Sequence, residues 1–405
     1  MDTVIAVDSV IADETGPTGP RYVRLGAGRI LSISERKPDV GADVQYIDGV
    51  GCTLVPGLID SHVHLAGVLR SDGRLVDVES RLAADALDVA RALSRIAAGG
   101  ITGLRDCGFP NHSVFAVRIA AERGQFLAPR MALSGRAICA TGGHGASLST
   151  EVDGPDATRR AVRSELKAGA EWIKLMVTGG TATPGEAVTD VQLTLDEMSV
   201  AVAEAHARGR KVSAHCSNSE GTRLALVAGV DSIEHGIALD DESVELMVER
   251  RVWLSSTVRC TQIEGEAGPD SGIPAFIREK AGPIYRQQMQ SFQRALAAGV
   301  PIVASTDAEQ PYFALSAASL VDELAVLVSL GMEPMAAIGA ATWQAATMLG
   351  WAGSVGRVRP DLAADLLLVE GNPLVDLHLL ARPREVFVAG RRAGELQSVD
   401  EGERE

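Results

Sequence analysis

The 405-residue sequence predicts an α/β protein: a (β/α)8 TIM barrel carrying a small β-sandwich domain built from both chain ends. Three observations support this. Apolar runs of strand length alternate with helical patterns through the middle of the chain, the signature of parallel strands joined by crossover helices. There are eight such runs, in about 300 residues, as a closed eight-stranded barrel requires. Short, glycine-punctuated runs rich in β-branched residues flank this middle on both sides, as in a β unit interrupted by a large insertion.

Residues 1–54 supply the first part of the sandwich, as "TVIAVDSVIA", "RYVRLGAGRILSISE" and "DVQYIDGVG". Residues 55–350 form the barrel. Its strands end in "LIDSHVHL", "ITGLRDCG", "RMALSGRAI", "WIKLMVTGG", "KVSAHC", "DSIEHG", "VWLSSTV" and "PIVASTD". Between the fourth and fifth, Thr194 and Glu197 make a capping-box pair opening a helix, with Gly209 at its far end. After the eighth, "SLVDELAVLVSLG" and "EPMAAIGAATWQAATMLG" have helical period and are separated by Gly331. Residues 351–398 return to the sandwich through "GSVGRVRPDLAADLLLVEG" and "REVFVAGRRAGEL", and 399–405 end an acidic tail expected to be disordered.

The formal charge of −15 argues against nucleic acid or an anionic membrane as partner. Five scattered cysteines without C-x-x-C spacing predict no disulfide framework and a reducing compartment. The opening "MDTVIAVDSVIADETG" lacks the basic and apolar regions of a signal peptide. No apolar stretch approaches the ~20 residues of a membrane span. The expectation is a cytoplasmic protein, a homo-oligomer, acting on a small molecule.

Chemistry in such a barrel sits where strands end. The ends carry His62 and His64, then Lys174, His215, His235 and Asp307. His62 and His64 lie on one side of a strand, because side chains alternate with period two, and paired imidazoles of this kind chelate metals. Lys174 is the anomaly. It stands in "EWIKLMVTGG", among Trp172, Ile173, Leu175, Met176 and Val177. An ammonium buried there costs several kcal/mol or gives up its proton.

These motifs resemble those of the amidohydrolase superfamily. "VPGLIDSHVHL", "VSAHC", "SIEHG" and "ASTDA" are similar to its first-, fifth-, sixth- and eighth-strand motifs, and "DLAADLLLVEGNPLVD" to its returning β segment. "IKLMVTGG" and "GGHG" resemble the imidazolonepropionase-related branch that holds Xaa-Pro dipeptidases and ochratoxin and phenylurea hydrolases. The resemblance implies a CO2-derived carbamate on Lys174 bridging two divalent metal ions, with zinc expected. His62, His64 and Asp307 would complete one site, and His215 and His235 the other. It further implies a metal-bridging hydroxide as nucleophile, with Asp307 as general base and acid, and hydrolysis of an amide-type C–N bond.

His144, in the "GGHG" loop, is a second catalytic candidate that could polarise the scissile carbonyl or bind substrate. His206, His112 and His378 read as structural. Arg105 and Asp106 read as a buried ion pair supporting the barrel, and Cys216 as a thiol facing away from the site. A mononuclear deaminase is disfavoured, because Asn218 stands where that class has a glutamate. A noncatalytic scaffold is disfavoured by the filled ligand positions. An Xaa-Pro dipeptidase or metallocarboxypeptidase remains the alternative to a small-molecule amide, urea or carbamate hydrolase. "HCSNSEGTR" lacks the tyrosine that peptidases of this branch place after the histidine, and Arg259 could clamp a carboxylate instead.

Overall fold

The computed structural model describes residues 2–68, 78–308 and 314–393; the tail at 399–405 lies outside the described residues. The chain opens with β1 (Asp2–Ile11), β2 (Pro17–Thr18), β3 (Arg21–Gly26), β4 (Arg29–Ser34) and β5 (Val44–Pro56). Val4, Ile5, Val7, Val10 and Ile11 stiffen β1 and bury its length. It pairs antiparallel with β3 and parallel with β5.

The middle of the chain supplies β6 (Leu58–Val63), β7 (Ile101–Asp106), β8 (Arg130–Leu133), β9 (Ala137–Ala140), β10 (Ser149–Val152), β11 (Trp172–Met176) and β12 (Lys211–His215). It continues with β13 (Ser232–Glu234), β14 (Trp253–Ser256) and β15 (Ile302–Ala304). The helices are α1 (Val78–Ala98), α2 (Ser113–Glu122), α3 (Pro155–Ala168), α4 (Leu195–His206), α5 (Ser219–Ala228) and α6 (Asp241–Arg250). After them come α7 (Val258–Glu266), α8 (Ala275–Ala298), α9 (Ala317–Ser329), α10 (Pro334–Ala340) and α11 (Trp343–Met348). Eight parallel strands make the barrel: β6, β7, β8 and β11 to β15. Glu171 N donates to Leu133 O at 2.9 Å between β8 and β11, and a Val63–Ala308 bridge closes the ring. The helices bury one stripe, as Met198, Ala201, Val202 and Ala205 do on α4, whose Thr194–Glu197 capping box forms as the sequence predicts.

Two elements differ from the sequence reading. "RMALSGRAI" is not one strand: β8 ends at Leu133, the chain turns at Gly135 (φ 67°), and β9 goes on to pair with β11. Only glycine fits that turn, since a Cβ there would lie 2.3 Å from Glu165 Oε2. The last helical pattern likewise breaks into α10 and α11 around Thr342.

The return segment forms β16 (Leu366–Glu370), β17 (Glu385–Val388) and β18 (Arg391–Arg392), with β16 antiparallel to β5. The sandwich is one continuous sheet in the order β18-β17-β16-β5-β1-β3-β4. Arg29 at the start of β4 bridges Ala363 just before β16, so the sheet rolls over Ile5, Val23, Leu25, Leu54, Leu366 and Phe387. Among the described residues no helix is long and apolar enough to cross a membrane.

Candidate metal centre

The strand ends bring the six candidate ligands to one mouth of the barrel. Three donor atoms form a triangle: His62 Nε2 lies 3.4 Å from His64 Nε2 and 3.3 Å from Asp307 Oδ1, and His64 Nε2 lies 3.4 Å from the same oxygen. Those separations are the edges of a tetrahedron around an ion bonded at about 2.0–2.1 Å. Lys174 Nζ sits 3.4 Å from His62 Nε2, at 1% exposure, with no ion-pair partner among the described residues. His235 Nδ1 is 3.7 Å from Asp307 Oδ2 and 2.8 Å from Thr257 Oγ1. The His215 ring stands 4.6 Å from that of His235. Its Nε2 faces Gly179 O at 3.2 Å and Ser217 Oγ at 3.1 Å, which leaves Nδ1 as its donor atom.

Protonation states match what a divalent ion requires, neutral imidazoles and an ionised carboxylate. Burial, reinforced by the nearby Lys174, pulls His62 down to about 4, and burial pulls His235 to about 3. His215 is held well below the imidazole range, again first by burial. Burial alone would raise Asp307, but His62, His235 and His64 outweigh it and hold the carboxyl well below its ordinary value. His235 (φ 66°) and Asp307 (φ 51°) also have left-handed backbones, a conformation that costs a non-glycine residue of order 1 kcal/mol or more and clusters at functional sites.

Behind this layer lies a network that sequence reasoning missed. Glu234 Oε2 accepts from His62 Nδ1 at 2.7 Å, both side chains being fully buried. Arg105 Nη2 reaches both Glu234 oxygens at 2.7 and 2.8 Å, Arg105 Nε donates to Ser61 O at 2.6 Å, and Ser232 Oγ donates to Glu234 Oε1 at 2.6 Å. His62 is thus held with Nδ1 protonated and Nε2 free to ligate. The expected Arg105–Asp106 pair does not form. Neighbours on a strand point to opposite faces, so Arg105 turns to Glu234 while Asp106 Oδ1 accepts from Leu65 N at 2.8 Å. The signal that exposed Lys174, a charge inside a buried strand, was equally present in Glu234.

A cavity of about 250 Å³ opens over the cluster and reaches His64, Lys174, His215, His235 and Asp307. One wall is apolar, built by Ile263, Ile273, Phe276, Ile277 and Ile284 of the α7–α8 region. His144 and Ser217 also line the cavity. His144 Nδ1 donates to Glu186 Oε1 at 2.5 Å. Burial would raise Glu186, but its hydrogen bonds with His144, Gly180 N and Gln192 outweigh it and hold the carboxyl below its ordinary range. Arg259 is not among the lining residues; its Nη1 donates to Gln262 Oε1 at 2.9 Å, and Glu323 accepts from its backbone N–H.

The remaining candidates are structural. His206 pairs with Asp231 at 2.9 Å and His112 with Glu165 at 2.9 Å. His378 lies in a short 3₁₀ turn, Leu377–Ala381, where its backbone N–H donates to the capping Asp376 side chain. Cys216 lies in the main apolar core, its thiol pushed up to about 12 by burial.

The Amidohydrolase family matches this chain over residues 53–393. Ochratoxinase from Aspergillus niger is 30% identical over 363 residues, covering 82% of this chain and 73% of that protein. Imidazolonepropionase from Ralstonia nicotianae is 28% identical over 385 residues, 88% of each chain. Among solved structures, an Xaa-Pro dipeptidase with methionine bound in its active site superposes with a TM-score of 0.87 at 28% identity, covering 97% of this chain and 99% of that one.

Proposed function

The chain belongs to the amidohydrolase family, whose members hydrolyse C–N bonds and generally use divalent metal ions, and on that premise we propose that it is a dinuclear metal hydrolase of small neutral amides, ureas or carbamates. The observation that carries this reading is the triangle of His62 Nε2, His64 Nε2 and Asp307 Oδ1, with edges of 3.3–3.4 Å. His62, His64 and Asp307 would hold one ion, and His215 and His235 the second. Lys174 would join them as a carbamate: its amine lone pair bonds to the carbon of CO2 and the displaced proton leaves to solvent. Bound zinc ions would supply a strongly acidified water and a polarised substrate carbonyl at neutral pH.

The protein's own groups do the rest. Asp307, whose carboxyl lies well below its ordinary value and is ionised at neutral pH, takes the proton from the attacking water and returns it to the leaving nitrogen. His62 and Glu234 keep the ligating face rigid. The wall of Ile263, Ile273, Phe276 and Ile277 favours an apolar group on the substrate.

The likeness to the Xaa-Pro dipeptidase structure supports a second reading, cleavage of dipeptides. Arg259, the residue best able to clamp a peptide carboxylate, is not among the lining residues, and its Nη1 donates to Gln262 Oε1 at 2.9 Å. A hydrolysis screen of the metal-loaded protein over N-acyl amino acids, Xaa-Pro dipeptides, their C-terminal amides, phenylureas and carbamates separates the two. The proposal expects higher kcat/KM for neutral substrates than for free acids. A strong preference for the free acid would establish the dipeptidase.

A further inference from the structure

We propose that Glu186 is a positioning residue that holds His144 by Nδ1 and aims Nε2 into the cavity, where it hydrogen-bonds a polar group of the substrate. This rests on the hydrolase reading above and adds to it a second, protein-borne arm facing the metal cluster.

The His144 ring is fixed on several sides. Glu186 Oε1 takes Nδ1 at 2.5 Å, with the two side chains only 11% and 6% exposed. The ring stacks on His215 at 4.3 Å between centroids and 24° between planes. It also rests on Gly180, where a Cβ would lie 2.4 Å from Cε1 and 2.7 Å from Nε2. Glu186 is itself anchored. Its Oε1 also accepts from Gly180 N at 2.9 Å, and its Oε2 from Gln192 Nε2 at 2.8 Å. Gln192 closes the circuit by accepting from His144 N at 2.8 Å. Lys280 Nζ, on α8, then ties the loop down by donating to Gly180 O at 3.2 Å and Thr183 O at 2.7 Å.

That effort leaves one atom uncommitted. Nε2 of His144 has no hydrogen-bond partner among the described residues, and the side chain lines the cavity. An imidazole with Nδ1–H bound to a carboxylate presents Nε2 in one direction only, the arrangement by which buried carboxylates orient functional histidines. The loop after β11 therefore serves both arms at once. Gly179 O holds His215 toward the metal ligands, while the next residue, Gly180, seats His144 for the substrate.

The test compares Glu186→Ala, Glu186→Gln, His144→Ala and the Glu186→Ala/His144→Ala double variant, using the best substrate from the hydrolysis screen. His144→Ala should lower kcat/KM about 100-fold, as loss of an aimed hydrogen-bonding group does. Glu186→Ala should lower it about 10–100-fold. Glu186→Gln should recover most of that, because its amide oxygen still accepts from Nδ1. The double variant should be no worse than His144→Ala, with metal content at the wild-type level throughout. Losses that multiply in the double variant, or metal lost from Glu186→Ala, would overturn the proposal. Histidine-selective 15N NMR decides the pairing without turnover. A His144 Nδ1–H signal that shifts in Glu186→Ala supports it, and one indifferent to that change overturns it. A wild type that hydrolyses nothing in the screen counts against the parent reading alone.

Discussion

Glu234 Oε2 lies 2.7 Å from His62 Nδ1 inside a fully buried pair, and Arg105 reaches both oxygens of the same carboxylate. Glu234→Gln should therefore weaken metal binding about 10–100-fold, the usual effect of a lost ligand-orienting partner. Glu234→Ala should in addition cost about 3–5 kcal/mol of stability, because Arg105 is left as an uncompensated buried charge. Metal titration and urea unfolding measure the two effects. Wild-type affinity in Glu234→Gln would remove Glu234 from the site.

The depressed His235 predicts a pH dependence with a definite sign. Its folded-state value is about 3, against 6.5 for the free side chain. Between these, the unfolded chain takes up a proton that the native state refuses, so stability is present above pH 6.5 and lost as pH falls. Compared with His235→Asn, chelator-treated wild type should lose about 3 kcal/mol between about pH 6.5 and 4, at 1.36 kcal/mol per unit. Urea unfolding across that range checks it. A stability difference that is flat with pH would contradict it.

Much of this was legible in the sequence. Strand ends can be read because a barrel strand is a short apolar run stopped by polar residues, and period two then puts His62 and His64 on one side. What stayed hidden was pairing across distance. Arg105 and Glu234 lie 129 positions apart, and nothing local in "ITGLRDCG" favours Glu234 over the adjacent Asp106. The cavity wall was hidden for a different reason. Ile273, Phe276, Ile277 and Ile284 have helical spacing, which looks the same whether the stripe faces a core or a substrate. Glu186 was equally invisible, a single carboxylate in a polar loop whose partner His144 lies 42 residues away.

Asp307→Asn should retain the fold and lose activity by roughly two to four orders of magnitude, since the amide cannot accept the proton of the attacking water. Asparagine is also a weaker ligand, so metal content must be measured beside the rate. Near-wild-type turnover would move the proton-transfer role to another residue.

Lys174→Ala should lose most bound metal and activity while the barrel still folds, as circular dichroism and metal analysis would register together. Short-chain carboxylates at high concentration should restore part of the activity by taking the place of the carbamate. Full metal content and rate in the variant would refute the bridging role.

The most direct test of the central claim is the metal stoichiometry of gently purified, metal-replete wild-type protein, read by elemental analysis against protein concentration. The dinuclear centre with a carboxylated Lys174 predicts about two divalent ions per chain, the number its two ligand sets require. A stoichiometry of about one under replete conditions would contradict it and leave His62, His64, Lys174, His215, His235 and Asp307 around a single ion.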